Sequence, residues 1–170
     1  MTTQHFESEV IDLATQLGEL LVARSYHIST AESCTGGLLA ACFTDVPGAS
    51  NWFEQSWVTY SNDAKTNRLG VNSATLQQYG AVSEQTVLEM ANGARAKAQA
   101  DIAVAISGIA GPDGGTQDKP VGTVWIGWSL SEQLTDAERA VFVGNRQQVR
   151  NAALIAALSG TIIRVSKQAD

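Results

Sequence analysis

The chain has little of what builds disulfides, metal sites or cationic surfaces. Its two cysteines, Cys34 and Cys42, are both expected on one helix. At ~1.5 Å of rise per residue they lie roughly 12 Å apart, too far to bridge, so neither suggests secretion. The two histidines, His5 and His27, form no pair at ligand spacing; with no Cys-x-x-Cys and no dense carboxylate cluster, nothing supports a metal site. Lysine and arginine number 11 against 17 aspartates and glutamates, giving a net charge of −6 and a pI near 4.8. That surface offers no broad basic footprint for nucleic acid, and any phosphate must be held locally. No apolar run approaches the ~20 residues that span a bilayer, and Met1 to Glu7 lacks the basic-then-apolar plan of a signal peptide. A cytoplasmic protein with no membrane contact is expected. Also missing are Gly-x-Gly-x-x-Gly and a Walker A pattern, since Ser33-Cys34-Thr35-Gly36-Gly37 lacks the lysine the latter requires.

What is present reads as one ordinary domain over residues 1–170, 44% hydrophobic and long enough to bury a substantial core. Val10, Leu13, Leu17, Leu20 and Leu21 put one apolar stripe on a helix over residues 7–24. His27 to Ala31 reads as a short strand, Thr35 to Phe43 as a helix, Phe53 to Tyr60 as a strand, and Asn62 to Leu69 as a short helix stopped by Gly70. A helix over 74–79 stops at Gly80, and Ser83 can cap the next, striped by Val87, Met90, Ala91, Ala94 and Ala98. Ile102 to Ile106 is the uninterrupted apolar run of a central strand buried on both faces. Thr123 to Leu130 and Glu138 to Val143 can pair as an antiparallel hairpin, and Asn145 to Val165 closes the chain as a helix. The pattern predicts a three-layer α/β/α sandwich with a mixed, mostly parallel sheet.

Three segments depart from that regularity. In Ala31 to Gly37 a strand turns directly into a helix, placing Ser33 where free N–H groups can hold a phosphate or a developing oxyanion; an ordinary cap with two packing glycines is the plainer alternative. In Thr59 to Lys65 a tyrosine ends a strand and a lysine follows. A serine nucleophile needs a base, and neither His5 near the terminus nor His27 upstream on the strand is well placed. Of four lysines, at 65, 97, 119 and 167, Lys65 is the best candidate, because a desolvated lysine can lose its proton near neutral pH, and Tyr60 offers a hydroxyl to relay one; the plainer alternative, which the residues alone favour, is Lys65 as a surface charge and Tyr60 as a core residue. The third segment is the glycine-rich loop 107–122 with Arg146, whose guanidinium fork at a helix start suits a monophosphate; the plainer alternative is a disordered insertion beside a surface charge.

Taken together, Ala31-Glu-Ser-Cys-Thr-Gly-Gly37, Val58-Thr-Tyr-Ser-Asn62 with Lys65, Gly80-Ala-Val-Ser-Glu84, and Ser107-Gly-Ile-Ala-Gly-Pro-Asp-Gly-Gly115 with Lys119-Pro-Val-Gly-Thr-Val124 resemble one family, the CinA C-terminal domain family. The resemblance runs from about residue 8 to 165, in the same order, and looks like the stand-alone form. It implies hydrolysis of the carboxamide of nicotinamide mononucleotide to nicotinate mononucleotide and ammonia, in pyridine-nucleotide salvage, with no cofactor and as a homodimer. The family's serine, tyrosine and lysine fall on Ser33, Tyr60 and Lys65. On that reading Lys65 takes the Ser33 proton, N–H groups of Thr35, Gly36 and Gly37 hold the oxyanion, and Tyr60 passes a proton to the leaving amine. Substrate binding falls on Ser107, Gly108, Ile109, Gly111, Gly115, Thr123 and Arg146. Asp63 stands where glutamate is usual and Asn145 where aspartate is usual. Cys34 as nucleophile, or a nucleotide-binding module without turnover, are the competing readings.

Overall fold

A computed structural model describes residues 6–131 and 133–168. In chain order the elements are α1 (Ser8–Arg24), β1 (Ile28–Glu32), α2 (Leu38–Thr44), β2 (Phe53–Val58), α3 (Asn62–Ala64) running into a π-helical turn (Lys65–Leu69), α4 (Ser73–Tyr79), α5 (Glu84–Ala98), β3 (Ile102–Gly108), β4 (Thr123–Ser129), β5 (Thr135–Val141) and α6 (Arg146–Lys167). The five strands form one sheet in the order β2-β1-β3-β4-β5. β1 pairs parallel with β2 and β3, while β4 pairs antiparallel with β3 and β5. Only β4 is reversed in direction, so the sheet is mixed, with its pairings evenly divided between the two kinds.

The alternation of side chains along β3 sets the two outer layers. Ile102, Val104 and Ile106 face a core shared with Leu17 and Leu21 of α1 and Val149, Leu154 and Leu158 of α6. Ala103 and Ala105 face the other way, against Val87, Met90, Ala91 and Ala94 of α5. Small residues there let α5 lie close to the sheet. At Gly127 of β4 a Cβ would stand 2.7 Å from the Val87 carbonyl oxygen, so only glycine fits under the helix. The α6 side is filled instead by bulk: Trp128 packs over Gly160 and donates from its indole N–H to Thr161 at 3.0 Å.

The element boundaries shift where the sequence is least regular. β1 begins at Ile28 and β2 ends at Val58, so Thr59 and Tyr60 lie beyond the strand. Helix α2 begins at Leu38 and not at Thr35, because Gly36 (φ +62°) and Gly37 (φ +99°) are both left-handed. Cys34 therefore sits in the turn before the helix; it and Cys42 are both buried and free. Asn145 caps α6 through a reciprocal pair with Gln148.

From β1 the chain crosses to β2 on one side, and β3 continues to β4 on the other. The carboxyl ends of β1 and β3 thus flank a topological switch point, where open α/β sheets leave a crevice for ligand. Ser33 follows β1 directly, and Ser107 and Gly108 end β3.

Candidate active site

Ser33 is held at that crevice by its backbone, whose N–H donates to the Ile106 carbonyl at 2.9 Å and whose carbonyl accepts from Gly36 N–H at 3.0 Å. This closes a tight turn, Ser33 to Gly36. Lys65 enters from the junction of α3 and the π-helical turn, a departure from regular helix of the kind that often marks a functional site. Its Nζ stands 3.1 Å from Ser33 Oγ, 2.8 Å from the Thr59 carbonyl oxygen and 3.3 Å from that of Tyr60. Only 1% of Lys65 is exposed, and no carboxylate pairs with it among the described residues. Burial lowers its pKa from the usual 10.5 to about 8. A neutral amine has two hydrogens and one lone pair. With the two carbonyls taking the hydrogens, the lone pair is left for the Ser33 hydroxyl, the arrangement a general base requires.

A cavity of about 210 Å³ opens beside this pair, lined by Ser33, Cys34, Tyr60, Lys65, Ala81, Val82, Ser107, Gly108, Ala110 and Arg146. Its volume is below the ~300–1,000 Å³ of sites that engulf a whole ligand, room for one end of a small molecule. Arg146 donates from Nη1 to the Gly111 carbonyl at 3.0 Å and from Nη2 to the Tyr60 hydroxyl at 3.2 Å. Tyr60 is 62% exposed, so these two side chains stand at the mouth. The Tyr60 hydroxyl accepts from Arg146, and Lys65 touches only the Tyr60 carbonyl.

The oxyanion donors also differ from expectation. Glu32, fully buried, turns its carboxylate onto the start of α2 and accepts from Gly37 N–H (3.0 Å), Leu39 N–H (3.1 Å) and Ala40 N–H (2.9 Å). An internal anion thus occupies the helix terminus, and Gly36 N–H is spent on the turn. The N–H groups of Cys34 and Thr35 donate to no oxygen among the described residues. Glu32 was missed in the sequence; the available signal was a lone acid at the end of a buried strand followed by two glycines. Ala81, Val82 and Ala110 fell inside the quoted motifs but had been given no role.

Several predicted binding residues shape the site without lining it. Ile109 N–H donates to the Thr123 carbonyl and Gly122 N–H to the Ile109 carbonyl, both at 2.8 Å, and Thr123 Oγ1 donates to the Pro120 carbonyl at 2.7 Å. Gly111 and Gly115 lie so close to Val121 that a Cβ on either would collide with it. The loop is fastened at its outer part as well, by Lys119 Nζ to the Tyr79 carbonyl (2.7 Å) and Arg139 to the Asp118 carbonyl (2.9 Å). Of the expected binding residues Ser107, Gly108 and Arg146 face the cavity, whereas Thr35, Gly36, Gly37, Ile109, Gly111, Gly115 and Thr123 do not. Ser107 itself donates to the Ala81 carbonyl at 2.8 Å, tying β3 to the opposite wall.

The competing nucleophile fares poorly. Burial pushes the Cys34 thiol up to about 11, outweighing the nearby positive charges, so little thiolate exists at neutral pH. His27 pairs with Asp101 at 3.7 Å on the amino-terminal side of β1, away from Ser33, and His5 lies outside the described residues. No cluster of metal-binding side chains occurs among the described residues, and none of their helices is long and apolar enough to cross a membrane. A larger groove of about 970 Å³ between β5 and the end of α6 has its guanidinium, Arg164, consumed by Asp136 and Glu138 and no nucleophile bonded to a base.

A serine hydroxyl faces a buried amine at the switch point of an α/β/α sheet, a pairing that a serine nucleophile with a lysine base would use. Comparison places it in a family: the CinA C-terminal domain model matches residues 10–164, and the chain belongs to that family. It is 51% identical over 152 residues to nicotinamide-nucleotide amidohydrolase PncC of Escherichia coli (strain K12), covering 89% of this chain and 92% of that protein. The PncC of Pseudomonas putida is 50% identical over 153 residues, 90% of this chain and 95% of the relative. The crystal structure of competence/damage inducible protein CihA from Agrobacterium tumefaciens superposes with a TM-score of 0.92 at 38% identity, covering 96% and 99% of the two chains.

Proposed function

We propose that this chain, as one domain, hydrolyses the carboxamide of nicotinamide mononucleotide to nicotinate mononucleotide and ammonia, in cytoplasmic pyridine-nucleotide salvage. The observation that carries the reading is the 3.1 Å contact between Lys65 Nζ and Ser33 Oγ in a site whose mouth holds Arg146; the names of the relatives supply the substrate. Neutral Lys65 takes the Ser33 proton as Oγ bonds to the amide carbon, and the oxyanion forms beside the Cys34 and Thr35 N–H groups. The carbon–nitrogen bond then breaks, and the proton held by Lys65 leaves with ammonia. Water attacks the acyl-serine, gives a proton to Lys65, and frees the acid as Ser33 recovers its hydrogen. On this reading apolar Ala81, Val82 and Ala110 take the flat pyridine ring, while Arg146 and Tyr60 at the mouth take the ribose phosphate; their presence in the cavity lining supports it. No step uses a cofactor.

The homodimer belongs to the same proposal. What supports it is the unpaired outer edge of β5, flanked by exposed Leu134, Val141 and Val143. A monomer mass in light scattering at micromolar concentration would refute it. The activity is tested by coupled ammonia release from nicotinamide, its riboside and its mononucleotide. The mononucleotide should be turned over best; no ammonia from it would overturn the assignment.

A further inference from the structure

Helix α6 carries a second arginine one turn beyond Arg146, and it reaches the back of the nucleophile's turn. Arg150 Nη2 donates to the Thr35 carbonyl at 2.9 Å, across 115 residues of sequence. Its Nε is buried with no acceptor, and Thr35 Oγ1, also buried, has no partner. No carboxylate lies within ion-pairing distance of Arg150 among the described residues. A guanidinium in that position is costly to keep, since its charge is partly removed from water and makes no direct ion pair among the described residues. Thr35 is fully buried, and its carbonyl also accepts from Leu38 N–H at 3.3 Å. Arg150 therefore grips a turn that also carries Ser33 and the N–H groups of Cys34 and Thr35, which donate to no oxygen among the described residues. Gly36 is left-handed, and with no Cβ to restrict it the backbone there has other accessible conformations that contacts such as the Arg150 bond select against.

We propose that Arg150 is a positioning residue for the amide hydrolysis: by holding the Thr35 carbonyl it fixes the Ser33–Gly36 turn so that the Cys34 and Thr35 N–H groups face the developing oxyanion, and its unpaired charge lies behind them. This rests on the amidohydrolase reading. The Arg150 charge is felt at the turn, where it lowers the Cys34 thiol pKa against the larger upward effects of burial and of the Glu32 carboxylate. An oxyanion formed at the turn adds negative charge only while the tetrahedral intermediate exists, so the Arg150 contact favours the transition state over bound substrate.

The test compares Arg150→Met and Arg150→Gln with the parent enzyme by ammonia release from nicotinamide mononucleotide. Pyridine-3-boronic acid serves as a second probe, because its boron accepts Ser33 Oγ and forms an anionic tetrahedral adduct. An active parent is the control, and its inactivity would sink the amidohydrolase reading, this inference with it. With the parent active, kcat should fall about 10- to 100-fold in either variant that circular dichroism shows folded, with KM changed by less than about threefold. Boronate inhibition should weaken in step with kcat/KM, while binding of the product, nicotinate mononucleotide, holds. A kcat within about threefold of the parent, or a loss carried by KM alone, overturns the proposal. A purely structural role would lower the melting temperature without separating the boronate from the product.

Discussion

Replacing Lys65 tests the mechanism where physical chemistry constrains it most. With a pKa of about 8, roughly a tenth of the Lys65 amines are neutral at pH 7 and about nine tenths at pH 9, so kcat/KM should rise about tenfold across that range. Lys65→Arg keeps the charge but cannot give up its proton, and its five donors face only the three acceptors that Nζ meets. It should lose on the order of 10²–10⁴-fold in kcat, as much as Lys65→Met. Stability gives an independent reading. The folded-state pKa lies below the unfolded value, so burying the charged amine costs stability in full below pH 8. That cost is relieved as pH rises towards the unfolded value near 10.5. Between pH 7 and 9.5 the parent should therefore gain about 2 kcal/mol relative to Lys65→Met. The assays are ammonia release from pH 6 to 9.5 and urea unfolding at the same pH values. An arginine variant within about threefold of the parent kcat, or a flat profile across pH 8, would remove Lys65 as the base.

Ser33→Ala should abolish turnover by at least about 10³-fold while Cys34→Ala stays within about threefold, measured by ammonia release; the reverse order would move the nucleophile to the thiol. Glu32→Ala strips three N–H groups of their buried acceptor and should cost on the order of 3 kcal/mol, a drop of roughly 6–12 °C in melting temperature for a chain of this size. An unchanged melt would mean that the start of α2 finds another acceptor. Arg146→Ala should raise KM for the mononucleotide at least about tenfold with less effect on the riboside, and equal effects on both would detach Arg146 from the phosphate. Activity should persist in excess EDTA; loss on chelation with recovery on adding a divalent ion would contradict the serine–lysine mechanism.

Long periodic elements were legible in the sequence because packing and pattern agree there. The stripe of α1, the apolar run of β3 and the Ser83 cap of α5 all fall close to where periodicity and capping chemistry place them. The site was legible only by type of residue. Ser33 and Lys65 are 32 positions apart, and nothing local says that the sheet order brings them within hydrogen-bond distance. The turn at Gly36 and Gly37 was misread as helix because two glycines followed by Leu38 to Phe43 look like a tolerated weak first turn, whereas consecutive left-handed φ values interrupt it. The contacts of Arg150 with Thr35 and of Arg146 with Tyr60 join segments remote in the chain, and the turn of Glu32 onto the start of α2 depends on the local backbone path, none of which hydrophobic pattern encodes.

The small residues beneath α5 carry a consequence for how this scaffold can change. Ala81 and Val82, one wall of the cavity, are followed at once by the Ser83 cap of α5, and α5 rests on Ala103, Ala105 and Gly127. The gap between that wall and Ser33 is therefore set by the thickness of a layer about which the substrate has no direct information. An added methyl or ethyl group at Ala105 would lift the helix like a shim and widen the slot without altering any group in it. Substrate range in this architecture can drift through packing substitutions that leave every reacting atom in place.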